Sequence, residues 1–403
     1  MGLKSMKYIA PFIAILPTVF VSINLISCRQ QKDTWRGTIE EVDGVTVVNN
    51  PSESYYGEFI PELEEDLSIG NDDNDNYLFY RARAMALDSE KNIYVVDMGN
   101  YRVQKFDNQG RYLRTIGRKG QGPGEFRMPL GICFDVQDNM YVREYKKIQV
   151  FDKNGDFIRS FPLEHLLVEF ALDDEGSILG YSDIRQRDSA LRGILKMDSQ
   201  GKMTKKIAEY SDLGIKIIVG EAATFTLSPN HSYTPRLHFA SLGFYSFVYG
   251  YASEYLLNLI DNEGNPLLRI RLADVPVPIG QKDKDFIITK TCEALERNQL
   301  PITKKMVEET IHFRKNRAFF NKVLTDDKQR LYVQRVKSVF DETDEFEFDI
   351  FNRDGYYLYR VELPFSPEII KNGHIYDIYT NEDTGEVRIK RFKIVNWDQI
   401  KNK

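Results

Sequence analysis

The chain has 403 residues, a formal net charge of −6, 42% hydrophobic and 12% aromatic residues, and three cysteines. That length suffices for a large core, and an acidic balance without a basic stripe excludes nucleic acid as a partner. So few cysteines exclude a disulfide-built scaffold.

The first segment reads as an address. Lys4 and Lys7 precede an apolar run from Tyr8 to Ile26, broken by Pro11 and Pro17, and Leu25-Ile26-Ser27-Cys28 closes it. This is the pattern of a lipoprotein signal peptide (residues 1–27), with Cys28 lipidated as the first mature residue. The alternative is an uncleaved apolar anchor. Arg29, not Asp, follows Cys28, so the expected address is the cell envelope, lipid-anchored in the outer membrane, with the exposed face open. Residues 28–37 read as a tether. Residues 38–70 read as strands, with a hairpin turn at Asp43-Gly44. Glu62, Glu64, Glu65 and Asp66 alternate with apolar residues there and lack the ligand spacing of a calcium loop, so they predict a solvated strand face.

From Tyr80 to Phe161 the chain states one pattern twice. Tyr94 maps onto Tyr141, Val103 onto Ile148, Phe106 onto Phe151 and Gly110 onto Gly155. A period of roughly 40–50 residues, with several strands per unit, marks a β-propeller or a related array. In the first unit Met85-Ala86-Leu87 suits a buried inner strand, and Ile93 to Val96 a second. Arg102 to Phe106 alternates as a third, Asp107 to Gly110 turns the chain, and Tyr112 to Ile116 closes an outer fourth strand. Four antiparallel strands with tight turns make one blade.

These residues, ALD-x-x-x-x-IYVVD-x-x-N-x-RVQKFD-x-x-G from Ala86 and FD-x-x-x-x-MYV…KKIQVFD-x-x-G from Phe134, resemble the NHL repeat. Over most of its length the chain also resembles the six-bladed propeller lipoproteins of Gram-negative gut bacteria, whose function is uncharacterised. The runs that carry this likeness are EEVDGVTVVNNP (Glu40–Pro51), ELEEDLSIG (Glu62–Gly70) and IGRKGQGPGEF (Ile116–Phe126). The resemblance implies a fold and an address, and no chemistry.

The expected fold is all-β: a six-bladed, NHL-like β-propeller of four-stranded antiparallel blades, residues 38–403, with a small helical insertion. The blades are placed at about 80–117, 127–161, 166–210, 222–272, 317–363 and 367–397, and the N-terminal strands 38–70 are expected to complete the last one. Blade four takes Phe225–Asn230 as its inner strand, leaving the aromatic segment Phe239–Tyr251 to decorate one face. Residues 273–316 break the strand pattern. Phe286, Ile287, Ala294 and Leu295 share one face, and Thr303 is a candidate N-cap before Met306, Val307, Thr310 and Ile311, which predicts two helices.

No catalytic set emerges. The glycine run Gly117–Gly124 lacks a Gly-Lys-Ser/Thr ending and a following helix, which leaves a crossing between blades. Asp97, Asp107, Asp152, Asp198 and Asp261 recur at equivalent places, as turn-bonding residues do. No His spacing matches a metal motif, and His231 and His238 form the one pair of interest. Strand phase puts Arg83, Arg127, Glu169 and Asn321 at the channel mouth, a mixed-charge set suited to a polar or anionic ligand. The function expected is a non-catalytic binding or scaffold module. It is anchored to the membrane by its N-terminal lipid and engages a glycan, peptide or envelope protein, with neither cofactor nor metal. The alternative is a lactonase- or lyase-like enzyme with a metal, such as calcium, in the channel.

Overall fold

The computed structural model describes residues 35–402, apart from 71–73, 186–189, 213–214, 220–222, 228–232, 298–302, 312, 342 and 344, with backbone alone at a few further strand positions. The signal segment, Cys28 and His231 therefore lie outside the described residues. Among the described residues, no helix is long and apolar enough to cross a membrane.

Six sheets, each built on four consecutive antiparallel strands or their equivalent, form the blades. Their inner strands are Ala82–Leu87, Gly131–Phe134, Leu167–Leu172, Leu237–Ser241, Phe320–Thr325 and Ile369–Lys371. Each blade buries apolar side chains against the next. Val96, Val103 and Ile116 of blade 1 pack with Met140, Val142 and Phe151 of blade 2. The outer hairpins close as their aspartates predict. Asp107 Oδ1 accepts the amides of Gln109 and Arg111, both at 2.9 Å, and Asp152 Oδ1 accepts those of Asn154 and Asp156 at 2.9 and 2.8 Å. Asp97, fully buried, holds Tyr80 N–H, Asn100 and Arg102. These are structural carboxylates.

The N-terminal strands do not act as one unit. β1 (Thr38–Val42) and β2 (Val45–Asn50) form a hairpin whose second strand runs parallel to the outer strand of blade 4, Pro266–Leu272. β3 (Glu58–Phe59) lies parallel to the outer strand of blade 5. Only β4 (Leu63–Ile69) enters blade 6, antiparallel to Val387–Ile394. The expectation that all of 38–70 completes the last blade is thus corrected: the segment straps the rims of three neighbouring blades before closing the ring. The reason lies in side chains that need cover. Val45, Val47 and Val48 are buried, and Asn50 donates to Arg271 O and Gly355 O while accepting from Tyr357 N–H, which ties blade 4 to blade 5.

Blade 4 also differs from the expectation. Ala223–Leu227 pairs with Ile215–Val219 in a separate two-stranded sheet. The inner strand is Leu237–Ser241, paired with Ser246–Tyr251. The aromatic segment is therefore core, with Phe239 and Phe247 stacked at 5.8 Å and buried. Aromatic alternation fits a half-buried pleat better than the short Phe225 run does.

Residues 273–316 link blade 4 to the inner strand of blade 5 and contain α1 (Gln281–Arg297) and α2 (Lys304–Thr310). Thr303 Oγ1 accepts Met306 N–H at 3.3 Å, an N-cap bond. Leu295, Val307 and Ile311 make a small core, and Tyr233 and Arg317 both bond Asp283 at the start of α1. Cys133 and Cys292 are both free thiols.

Candidate functional site: the channel mouth

Connections that precede an inner strand gather at the end of the ring where those strands begin, and the two-helix insertion is one of them. Three inner strands carry an irregularity at that end, beside Arg83, Val168 and Asn321. A bulge advances every later side chain by one position. In blade 5 this turns the channel phase from Asn321 to Lys322. By the same register Ala84, Gly131, Glu169 and Lys322 occupy one layer.

Lys322 bonds Glu368 Oε1 at 3.1 Å and also reaches Pro367 O. Glu169 lies exposed in the channel yet is ringed by protein. Burial pushes its carboxyl up to about 7, against a Phe239 amide bond and the Lys322 and Arg143 charges. Asp377 is pushed up to about 6, by burial first and then by Glu368.

Arg143 is the residue that the sequence reading missed. It pairs in register with Gly131, where a Cβ would stand 3.4 Å from Arg143 Nε. Blade 1 has Val96 opposite Ala84 at these places. The exchange of Ala84 for glycine and Val96 for arginine was visible in the repeat: one residue shrinks so that the other fits. Arg143 is 5% exposed, donates to Val168 O at 3.1 Å, and among the described residues its Nε has no partner. Burial lowers its pKa to about 10, and Arg83 repels it while Glu169 supports its charge.

Of the four residues placed at the mouth by strand phase, Arg83, at the bulge of blade 1, and Glu169 lie near enough to Arg143 for their charges to act on it. Arg127 is exposed on the incoming loop, its backbone amide held by Glu144 at 2.6 Å. Asn321 is exposed beside the bulge, displaced by Lys322. Lys322, Glu368 and Asp377 escaped notice because strand phase alone does not reveal bulges or second-strand side chains. The mouth thus carries an arginine pair on blades 1 and 2, a protonatable carboxyl on blade 3, and a Lys–carboxylate group across blades 5 and 6.

The glycine loop is not a vacant anion cradle. Glu125 of the same loop fills it, accepting Gln121 N–H at 3.1 Å, Gly122 N–H at 3.0 Å and Arg118 Nε at 2.9 Å. His238 is buried, packs 5.5 Å from the Phe320 ring and is pushed down to about 3 by burial and by Arg236 and Arg192. It is neutral at ordinary pH. Among the described residues, no group of three or more His, Cys, Asp and Glu side chains is placed to share a metal ion.

Comparison with known proteins bears on the fold. The profile of the domain family DUF5128, described as a 6-bladed beta-propeller, matches residues 75–247. Protein lin-41 of Caenorhabditis elegans is 42% identical over 48 residues, which is 11% of this chain and 4% of that protein. A protein of Bacteroides fragilis described as exported is 12% identical, covering 86% of this chain and 99% of its own, at a TM-score of 0.49. A duf4221 family member from Bacteroides vulgatus is also 12% identical, with 82% and 98% covered, at 0.46. A gluconolactonase of Xanthomonas campestris is 11% identical, with 79% and 87% covered, at 0.42. The matched repeat and the ring closed by β4 make this chain a six-bladed β-propeller.

Proposed function

We propose that the chain is a binding propeller whose channel mouth holds a carboxylate-bearing glycan fragment. The observation that carries this reading is the buried Arg143 guanidinium, with a spare Nε, beside the positive charge of Arg83. A guanidinium kept from water and short of partners favours an anion that restores its hydrogen bonds. Tyr80 and Tyr145, 61% and 49% exposed, lie on connections at the same end and offer sugar-sized apolar faces.

Calorimetry with oligogalacturonate against neutral oligosaccharide tests it. Arg143→Gln or Arg83→Gln is expected to weaken binding by roughly 10-fold or more, the cost of a lost charged hydrogen bond. Glu169, protonated below about 7, becomes an anion above it. Affinity should therefore fall as pH rises through that range, and Glu169→Gln should flatten the profile. Equal binding of neutral sugar would remove the basis of the reading.

A second reading is an enzyme using Glu169 as proton donor or acceptor, favoured by the carboxyl held near neutrality beside cations. Turnover of an acidic glycan that Glu169→Gln abolishes, with binding retained, would select it. Metal analysis of the purified protein would decide whether calcium or another ion belongs to the site.

The run Leu25-Ile26-Ser27-Cys28 after the apolar segment supports a lipid-anchored envelope protein. Metabolic palmitate labelling should depend on Cys28 and vanish in Cys28→Ala, whereas labelling that persists in that variant would refute the anchor.

A further inference from the structure

A cavity of about 310 Å³ lies at the opposite end of the ring from the channel mouth, on the seam between blades 6 and 1. That size is at the lower end of the roughly 300–1,000 Å³ of small-ligand sites. Blade 1 contributes Lys91, Asn108 and Gln109 from two turns, and blade 6 contributes Asn372, His374 and Arg391. Arg391 is fixed by a two-pronged pair with Asp66 of β4, at 2.9 and 3.0 Å, and by a 2.7 Å bond to Asn108 O. Its bonds already cross the seam. His374 Nδ1–H donates to Asn372 O at 2.9 Å, leaving Nε2 3.5 Å from Asp66.

Tyr376 completes the lining beneath the Arg391 guanidinium, which leaves three side chains there unspent. Among the described residues, no partner holds the Lys91 ammonium or the side-chain amides of Gln109 and Asn372. Lys91 stands at φ 67, a conformation in which an unbranched side chain is held at a conformational cost. The equivalent turn position is left-handed in blades 2, 3 and 5 too, at Asp138 (φ 60), Gly176 (φ 79) and Gln329 (φ 59), so the conformation belongs to the turn and the charge is what Lys91 adds. Of the cations around the cavity, Arg391 is balanced by Asp66, and Lys91 is not. Two neutral amides beside one unbalanced ammonium are the complement of hydroxyl groups beside a single negative charge.

We infer that this seam cavity binds a hydroxyl-rich monoanion of monosaccharide size, and that its occupant fastens blade 1 to blade 6. The lining residues come together only in the closed ring, so a ligand there stabilises closure by mass action.

The test is thermal unfolding and calorimetry of the full-length chain with glucuronate, glucose 1-phosphate, neutral glucose and inorganic phosphate. Glucuronate or glucose 1-phosphate is expected to raise the melting temperature by roughly 2–4 °C at saturation, and which of them does so separates a carboxylate from a phosphoryl ligand. Neutral glucose and inorganic phosphate should each leave the midpoint within error. Lys91→Asn keeps a residue that tolerates the left-handed turn while removing the charge, and with Gln109→Ala it should abolish the shift. The melts are repeated in an Arg83→Gln background, where the channel mouth is weakened, so that the shift lost with Lys91→Asn and Gln109→Ala is the seam's own and is separated from the channel proposal. No shift with either anion, or a shift that survives Lys91→Asn with Gln109→Ala, would overturn the inference.

Discussion

A chain that starts at Asn71, without β1 to β4, is expected to lose its single cooperative unfolding transition. Residues 63–69 supply the fourth strand of blade 6 and pair with Val387–Ile394 in six register positions. Without them, the edge of that strand is bare and the blade keeps three strands from the C-terminal end. Ile69, 2% exposed, packs with Val387, Ile389 and Phe106, so β4 joins blade 6 to blade 1. Gly110 marks how closely, since a Cβ there would stand 2.7 Å from Leu67 and 3.0 Å from Ile69. Ile69→Ala alone should cost about 2–5 kcal/mol, the range for large-to-small core changes. A chain starting at Glu53 lacks β1 and β2 yet keeps β4. It should unfold in one step at a lower midpoint. Denaturant melts of the three chains check this, and a full-strength single transition from Asn71 would show that the closure adds nothing.

Asp349→Ala is expected to be the most damaging point substitution outside the hydrophobic clusters, at about 3–5 kcal/mol. Asp349 is wholly buried in blade 5 and accepts four donors. They are Tyr357 Oη at 2.5 Å, Tyr255 Oη at 2.6 Å, Arg335 Nη1 at 2.9 Å and Arg360 Nε at 3.2 Å. Tyr255 belongs to blade 4, and Arg335 also reaches Asp274 at 2.6 Å, where the helical insertion begins. The carboxylate therefore holds two blades and one insertion anchor. Burial and then the Asp349 charge raise the Tyr255 hydroxyl well above its usual range, so it remains a donor. Removing the acceptor leaves two hydroxyls and two guanidiniums without it, and each pays its own desolvation. Asp349→Asn keeps the shape but not the charge and should cost less. Equilibrium unfolding of both variants gives the ranking, and an Ala variant within about 1 kcal/mol of the parent would contradict it.

The repeat made most of the fold legible. Turn aspartates, the glycines after them and alternating apolar strands are local features, and the Asp107 and Asp152 hairpins close on bonds within five residues of each aspartate. The mouth was legible in part. Glu169 was reachable by counting along a strand, but the bulges beside Arg83 and Asn321 gave their places in the layer to Ala84 and Lys322. Arg143 reaches the mouth from a second strand, through the space left at Gly131. Nothing in the composition of residues 233–255 told face from core, because aromatic side chains serve either.

By itself, the sequence determined the blade, its period and its turns, since these depend on bonds and side-chain alternation between near neighbours. Tertiary structure alone decided which rim each N-terminal strand covers, and which charges share the mouth and the seam cavity. Strand edges and inward side chains are matched across more than 300 residues of sequence, as in the Asp66–Arg391 pair, 325 apart. At that range the available partner, not local preference, selects the contact.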